Sequence, residues 1–87
     1  MEERLKIFKA LGDSTRLKII EFLLDGEKCV CEIFPHVKRT QSTVSIQLGK
    51  LESWGILKSR KEGRSVYYKI ENENVDKIFS FLKEDKK

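Results

Sequence analysis

Apolar positions recur along this chain with two different periods, and the place where the period changes divides it. Between residues 2 and 11, Leu5, Phe8 and Leu11 stand at helical spacing with Ile7 beside them, and Gly12 ends the run. Asp13 or Ser14 can cap a second helix, in which Leu17, Ile20 and Leu24 recur and Ile19 and Leu23 thicken the stripe. Asp25-Gly26-Glu27-Lys28 is a turn signal, and a short third helix is expected within 30–37. Pro35 removes a backbone donor, so it is expected in the first turn of that helix or at a break in it. Thr40 is a good cap for a fourth helix, 41–53, which turns Val44, Leu48 and Leu51 inward and closes at Gly55 after Trp54.

Past Gly55 the period falls to two. Val66, Tyr68 and Ile70 share one face while Tyr67 and Lys69 share the other, and Glu62-Gly63 lies midway between two β-prone runs. The pattern predicts a hairpin with glycine where positive φ is needed. A last helix, about 73–84, sets Val75, Ile78, Phe79 and Leu82 on one stripe, with Phe81 beside them. The expected fold is therefore mainly α with a β-hairpin, in the order α-α-α-α-β-β-α.

Eighty-seven residues make one domain at most, here read as 1–87, and a chain this short buries a modest core. The small central unit cannot readily cover two apolar helices at its ends. A homodimer is expected, with Leu5, Phe8, Val75, Ile78, Phe79 and Leu82 at the interface, in preference to a monomer that closes its own core. No apolar run is long enough to cross a bilayer, and the charged start Met1-Glu2-Glu3-Arg4 lacks the apolar stretch of a signal peptide. A cytoplasmic protein with no membrane partner is expected, its two cysteines initially reduced.

Charge sharpens the picture. Of 18 basic and 14 acidic residues, the segment from Lys38 to Lys69 holds eight basic and two acidic ones, so the net charge of +4 is concentrated there. Such a patch is the footprint expected for nucleic acid, although solvated lysines alone produce similar counts. The fourth helix weighs more. Opposite its apolar stripe it shows Ser42, Ser45, Ile46 and Gly49, with Lys50 and Ser53 at the edges and Gln41 and Gln47 flanking the inner stripe. A generic solvated helix would carry glutamate and lysine on that face. Slim polar groups let a helix lie deep in a major groove and reach base edges, and an exposed Ile46 can meet a thymine methyl. The expected DNA contacts are Arg39, Thr40, Gln41, Ser42, Ser45, Ile46, Gln47, Lys50, Arg60, Lys61 and Arg64. Within that set Gln41, Ser42, Ser45 and Ile46 would read bases, while the cations mainly meet phosphate. With one histidine, no glycine-rich phosphate loop and no paired-carboxylate site, an enzyme is not expected.

The stretches Leu11 to Leu24, Cys29 to Ile33, Thr40 to Leu57 and Lys61 to Ile70 are similar, in order, to signatures of the ArsR/SmtB family of winged helix-turn-helix regulators. The resemblance covers roughly residues 5–71. It implies a homodimeric repressor bound to double-stranded operator DNA and released by a metal or another signal. It also implies that the first and last helices dimerise, that 41–53 reads the major groove, and that the hairpin is a wing. The family's serine-histidine-histidine-leucine stretch reads Ser45-Ile46-Gln47-Leu48 here, so base preference does not carry over. The family's zinc and cobalt site on the last helix needs histidine. Residues 73–84 hold Glu73, Asp76 and Glu84 without one, so that site is expected to be absent.

Cys29 and Cys31 match the third-helix thiol site of the family's arsenic, antimony, cadmium and lead sensors, with Phe34 where three-coordinate members carry a further cysteine. No cofactor is required. The resemblance implies a thiophilic inducer such as As(III) or Cd²⁺, its open position filled by water, a small thiol, His36 or the partner subunit. Residues two apart on a regular helix point about 200° apart. Both sulfurs can therefore face one atom only if the helix starts or distorts between them. A thiolate near a helix N-terminus is a soft ligand and is also open to oxidation. Metal or metalloid sensing comes first, a redox disulfide second, and a pair of small core hydrophobes third. A DNA-binding regulator without small-ligand sensing, and an RNA or protein interaction module with aromatic Tyr67 on its wing, complete the alternatives.

Overall fold

A computed structural model gives the structure, which describes residues 2–78. Helix α1 spans Glu2–Leu11 and α2 spans Ser14–Leu23, followed by a two-residue strand β1, Lys28–Cys29. Helices α3, Val30–Val37, and α4, Gln41–Ser53, form the helix-turn-helix pair. Strands β2, Leu57–Glu62, and β3, Ser65–Ile70, form the wing. Residues 73–78 are helical, and the rest of the expected last helix, including Phe79 and Leu82, lies outside the described residues.

Local chemistry explains most boundaries. Asp13 caps α2: its carboxylate accepts from the Thr15 amide at 2.7 Å and the Arg16 amide at 3.4 Å. Desolvation pushes this carboxyl up. The two amides, with the charges of Arg16 and Lys50, outweigh it and hold the group below its ordinary range. Thr40 caps α4 by accepting from the Thr43 amide. At the other end Gly55, at φ 75°, takes the left-handed turn that ends the helix. The Ile56 amide then bonds the Leu51 carbonyl and the Gly55 amide bonds that of Glu52, each at 3.0 Å. This Schellman motif buries Ile56 beside Leu51. Gly63, at φ 62°, opens the two-residue turn between β2 and β3.

The core gathers Ile19, Ile20 and Leu23 of α2, Ile33 and Val37 of α3, and Val44, Leu48 and Leu51 of α4, closed by Ile56 and Leu57. From α1, Ile7 and Ala10 enter it, while Leu5 and Phe8 each stay 64% exposed.

Three expectations change. The sheet has three antiparallel strands in the order β1-β3-β2, because Lys28 and Cys29 pair with Tyr68 and Tyr67 of β3. Two residues cannot display an alternation, so the pattern misses this strand. Pro35 lies well inside α3, neither in its first turn nor at a break. Its missing donor would have met the carbonyl of Cys31, and Cys31 as a residue is exposed to solvent. Val75 is fully buried in the core of its own chain and so leaves the expected dimer face, while Ile78 packs partly against the same core.

The cap of α2 gives a stability test. Asp13→Ala should cost about 1 kcal/mol at neutral pH. Because folding lowers the carboxyl's pKa, its contribution is present above the unfolded value and is lost as pH falls through the folded one. Urea melts at neutral and acidic pH should show the difference between variant and parent narrowing on acidification.

Candidate nucleic-acid interface

The packing of α4 sets which of its groups are free. With Val44, Leu48 and Leu51 buried, Gln41, Ser42, Ser45, Ile46, Gly49, Lys50 and Ser53 are all exposed. Ile46 is 57% exposed, and no acidic side chain interrupts this face before Glu52. A Cβ on Gly49 would meet nothing within 4 Å, so packing does not require the glycine. A slim outer surface is the remaining physical consequence of its presence. Thr40 is occupied at the start of the helix, where its hydroxyl also donates to the Thr43 hydroxyl at 2.8 Å.

Gln47 stands apart. Its amide oxygen accepts from Arg16 at 2.7 Å, and the residue is half-buried. Arg16 also donates to the carbonyls of Lys9 and Ala10 at the end of α1, and lies 5.2 Å from the centroid of the Trp54 ring. Gln47 is thus joined to the protein's own frame, unlike Gln41 and Ser45.

The cations differ equally. Arg39, Lys50, Lys61 and Arg64 are exposed, with Arg64 at the tip of the wing. Arg60 is held on both sides. It donates to the two carboxylate oxygens of Glu27 at 2.8 and 2.9 Å, donates to Glu62, and lies 4.6 Å above the Tyr67 ring. Its hydrogen bonds to Glu27 hold that carboxyl below its usual range. Glu27 falls outside the basic segment counted along the sequence, so nothing local announced this pairing. Nor did any pattern mark Arg16 as a bridge. Tyr67, the aromatic considered for stacking on unpaired bases, already carries the Arg60 guanidinium.

Helix α3 begins between the two cysteines. Cys29 is its cap, in extended backbone, and its sulfur accepts from the Cys31 amide at 3.2 Å while Glu32 accepts from the Cys29 amide at 3.0 Å. The start of the helix thereby lifts the obstacle of opposed side chains, and the two sulfurs are in disulfide contact with the Cα atoms 5.1 Å apart. Cys29 is 7% exposed and Cys31 is open to solvent. Both line a cleft of about 640 Å³ whose other walls include Gln41 and Ser45 of α4 and Arg64 of the wing. His36, one candidate third donor, is stacked on Phe22 with ring centroids 3.9 Å apart. Among the described residues, no three His, Cys, Asp or Glu side chains are grouped to hold a metal ion.

The sequence pattern of bacterial regulatory proteins of the arsR family matches residues 13–59. The chain belongs to the ArsR family. It is 45% identical over 74 residues to the cadmium resistance regulatory protein CadC homolog of Staphylococcus aureus, covering 84% of this chain and 61% of that one. To an HTH-type transcriptional regulator of Methanocaldococcus jannaschii it is 42% identical over 84 residues, covering 95% and 94%. Against the repressor SmtB homolog of Synechocystis the chain again spans only 59% of its relative, at 35% identity. In structure it is similar to HlyU from Vibrio cholerae, with a TM-score of 0.87 at 30% identity over 93% of this chain and 88% of that one. It is also similar to the homodimeric winged helix-turn-helix DNA-binding domain of a possible ArsR-family regulator from Mycobacterium bovis, with a TM-score of 0.82 at 32% identity over 94% and 76%. The relatives are described as transcriptional regulators, and the Mycobacterium bovis neighbour as a DNA-binding domain. No helix among the described residues is long and apolar enough to cross a membrane.

The Glu27–Arg60 pair gives a test specific to this ArsR chain. Glu27→Gln should loosen Arg60, which keeps Glu62 and the Tyr67 ring, raise affinity for duplex DNA at low salt and steepen the salt dependence by up to about one unit. Titrations by fluorescence anisotropy across salt concentrations measure both quantities, and Arg60→Ala in the Glu27→Gln background should cancel the gain.

Proposed function

We propose that the chain is a dimeric, sequence-specific transcriptional repressor released from operator DNA by chemistry at Cys29 and Cys31. The observation that carries the DNA reading is the outer face of α4. It is exposed, slim and acid-free up to Glu52, with Arg39 before it and Lys61 and Arg64 on the wing. Gln41, Ser42, Ser45 and Ile46 read base edges, and Arg39, Lys50, Lys61 and Arg64 meet phosphates. Arg60 joins the phosphate contacts to the extent that Glu27 releases it. Thr40 and Gln47 set the pose of the helix, Thr40 by capping it and Gln47 through Arg16.

Leu5 and Phe8 are large apolar residues that α1 leaves in water, and they line a groove of about 530 Å³ with Lys9 and Trp54. In the proposed dimer they meet the partner's copies beside Ile78. Residues 1–87 then act as one DNA-binding unit. Phe79 and Leu82, assigned to the same interface, lie outside the described residues.

The signal is a thiophilic metal or metalloid as first reading, supported by the cadmium-resistance relative and by two sulfurs brought together at the start of α3. Cys29 and Cys31 would hold such a centre as soft thiolate ligands. Thiol redox chemistry is the second reading, favoured by the disulfide contact itself.

Sedimentation at micromolar protein should give twice the chain mass, and Phe8→Glu should return the single mass. With the promoter region of its own gene as duplex, Ser45→Ala should reorder the affinities of operator variants. Arg64→Ala should weaken all of them alike and flatten the salt slope by about one unit. Arsenite, cadmium or diamide should release wild-type protein and leave Cys29→Ser/Cys31→Ser bound. An equal response of the two proteins would remove the thiols from the mechanism.

A further inference from the structure

The two sulfurs are not equivalent. Cys29 is buried, caps α3 and receives the Cys31 amide, whereas Cys31 faces solvent and the cleft between α4 and the wing. We propose that Cys31 is a site of S-thiolation by a small carboxylate-bearing thiol, whose adduct fills that cleft. The inference rests on the reading that these thiols are the sensor, and it names a ligand class for their redox chemistry.

The chemistry is a balanced exchange. An incoming thiolate attacks Sγ of Cys31, forming a new sulfur–sulfur bond as the bond between Cys31 and Cys29 breaks. The electron pair of the broken bond leaves on Sγ of Cys29, which takes up the proton lost by the incoming thiol. The existing disulfide is the oxidant, and no other is consumed. Access selects this direction, since Cys31 is the sulfur an incoming thiolate can reach. Sγ of Cys29 sits at the N-terminus of α3 with the Cys31 amide donating to it, so the leaving sulfur has a hydrogen-bond donor in place, although its burial works against a charge there. The Glu32 carboxylate near the same helix start also disfavours that charge, but it is turned to the Cys29 amide.

Cys29 can also attack the adduct and expel it, so persistence depends on how well the cleft holds its occupant. About 640 Å³ accommodates a small peptide thiol. Phe34, Leu48 and Tyr68 supply apolar walls, and Gln41 and Ser45 supply polar ones. Among the described residues, the charged side chain on the cleft wall is Arg64, which suits a carboxylate. An adduct there stands among the groups assigned to base edges and phosphate. Release would then follow from occupancy of the DNA-facing cleft, with no change in dimerisation.

The test uses the oxidised full chain and reduced glutathione as the probe. Intact mass and peptide mapping should show one glutathione per chain on Cys31, and anisotropy should show operator affinity at least about tenfold below that of the fully reduced protein, the scale of ordinary effector coupling. Sedimentation should leave the dimer unchanged. Glutathione should also give more adduct than 2-mercaptoethanol by up to about fivefold, the reach of one exposed ion pair. In Arg64→Gln, scored by adduct yield alone, that preference should vanish. Because serine is itself a good cap, Cys29→Ser keeps α3 intact and should accept glutathione on Cys31 from oxidised glutathione without expelling it. No adduct, an adduct mapped to Cys29, or an adduct with full operator affinity overturns the proposal. If arsenite, cadmium or diamide still releases the operator while glutathione leaves no adduct, S-thiolation falls and the thiol sensor stands. If none of these agents acts, both fall together.

Discussion

Arg16 divides one guanidinium among three helices. From the first turn of α2 it donates to the Lys9 and Ala10 carbonyls at the end of α1 and to Gln47 in the middle of α4, and it lies across the Trp54 ring. Its side chain is only 12% exposed, and Asp13 stands 3.7 Å away as its counter-charge. A charge so enclosed must be matched by well-placed acceptors, and removing any one of them leaves part of it uncompensated. The carbonyls at the end of α1 are also groups a helix cannot satisfy from within. The same contact therefore helps close the end of α1, surrounds a nearly buried cation with acceptors and supports the roll of α4 that the burial of Val44, Leu48 and Leu51 sets. That roll decides whether Ser45 and Ile46 face outward or Gln47 does. Leu5 and Phe8 sit on α1, so the helix proposed to meet a second copy and the helix proposed to meet DNA are joined through one side chain.

Electrostatics refines this frame without creating it. Counting charges along the chain treats Arg60 and Arg64 as equals, yet their surroundings differ entirely. Arg60 is held by Glu27, Glu62 and the Tyr67 ring, while Arg64 extends from a two-residue turn. A cation held in a bidentate pair can meet phosphate only by giving up those bonds, so its net gain from DNA is smaller than that of a free one. The positive field of the wing therefore rests on Arg64 at its tip and on the exposed Lys58, Lys61 and Lys69. In the proposed pose those groups would follow a backbone while α4 enters the groove.

Long periodic segments and their caps were legible from the residues. Thr40, the stripe of Val44, Leu48 and Leu51, and the glycine that closes α4 are local signals, and each occupies the place its chemistry demands. The hairpin around Gly63 is another. What escaped was non-local or too short to have a period. Strand β1 is two residues long and exists because β3 offers an edge to pair with. The Glu27–Arg60 pair spans 33 residues of sequence and the Arg16–Gln47 bond spans 31. Val75 kept the spacing of a surface stripe, but packing turned it into the core. At the site, the outward character of Ser42, Ser45 and Ile46 could be read from a helical wheel, whereas the disengagement of Gln47 depended on a partner two helices away.

The position of Cys29 limits how any signal there can work. Its sulfur is the cap of α3, so chemistry that redirects that sulfur also disturbs the start of the helix preceding α4. Loss of a side-chain cap costs about 0.5–2 kcal/mol, and a sulfur acceptor belongs at the weak end of that range. A hundredfold loss of operator affinity requires about 2.7 kcal/mol of differential binding. Uncapping α3 therefore supplies less than half of what a hundredfold switch needs. The remainder has to come from what is bound at the thiols, and the shared cleft offers a direct route. Cys31 lines the same walls as Gln41, Ser45 and Arg64, so in the proposed pose an occupant of the thiol site and a docked duplex would compete for neighbouring space. On this geometry, short-range competition in the cleft outweighs deformation of α3 as the means by which a signal at the cysteines reaches the DNA.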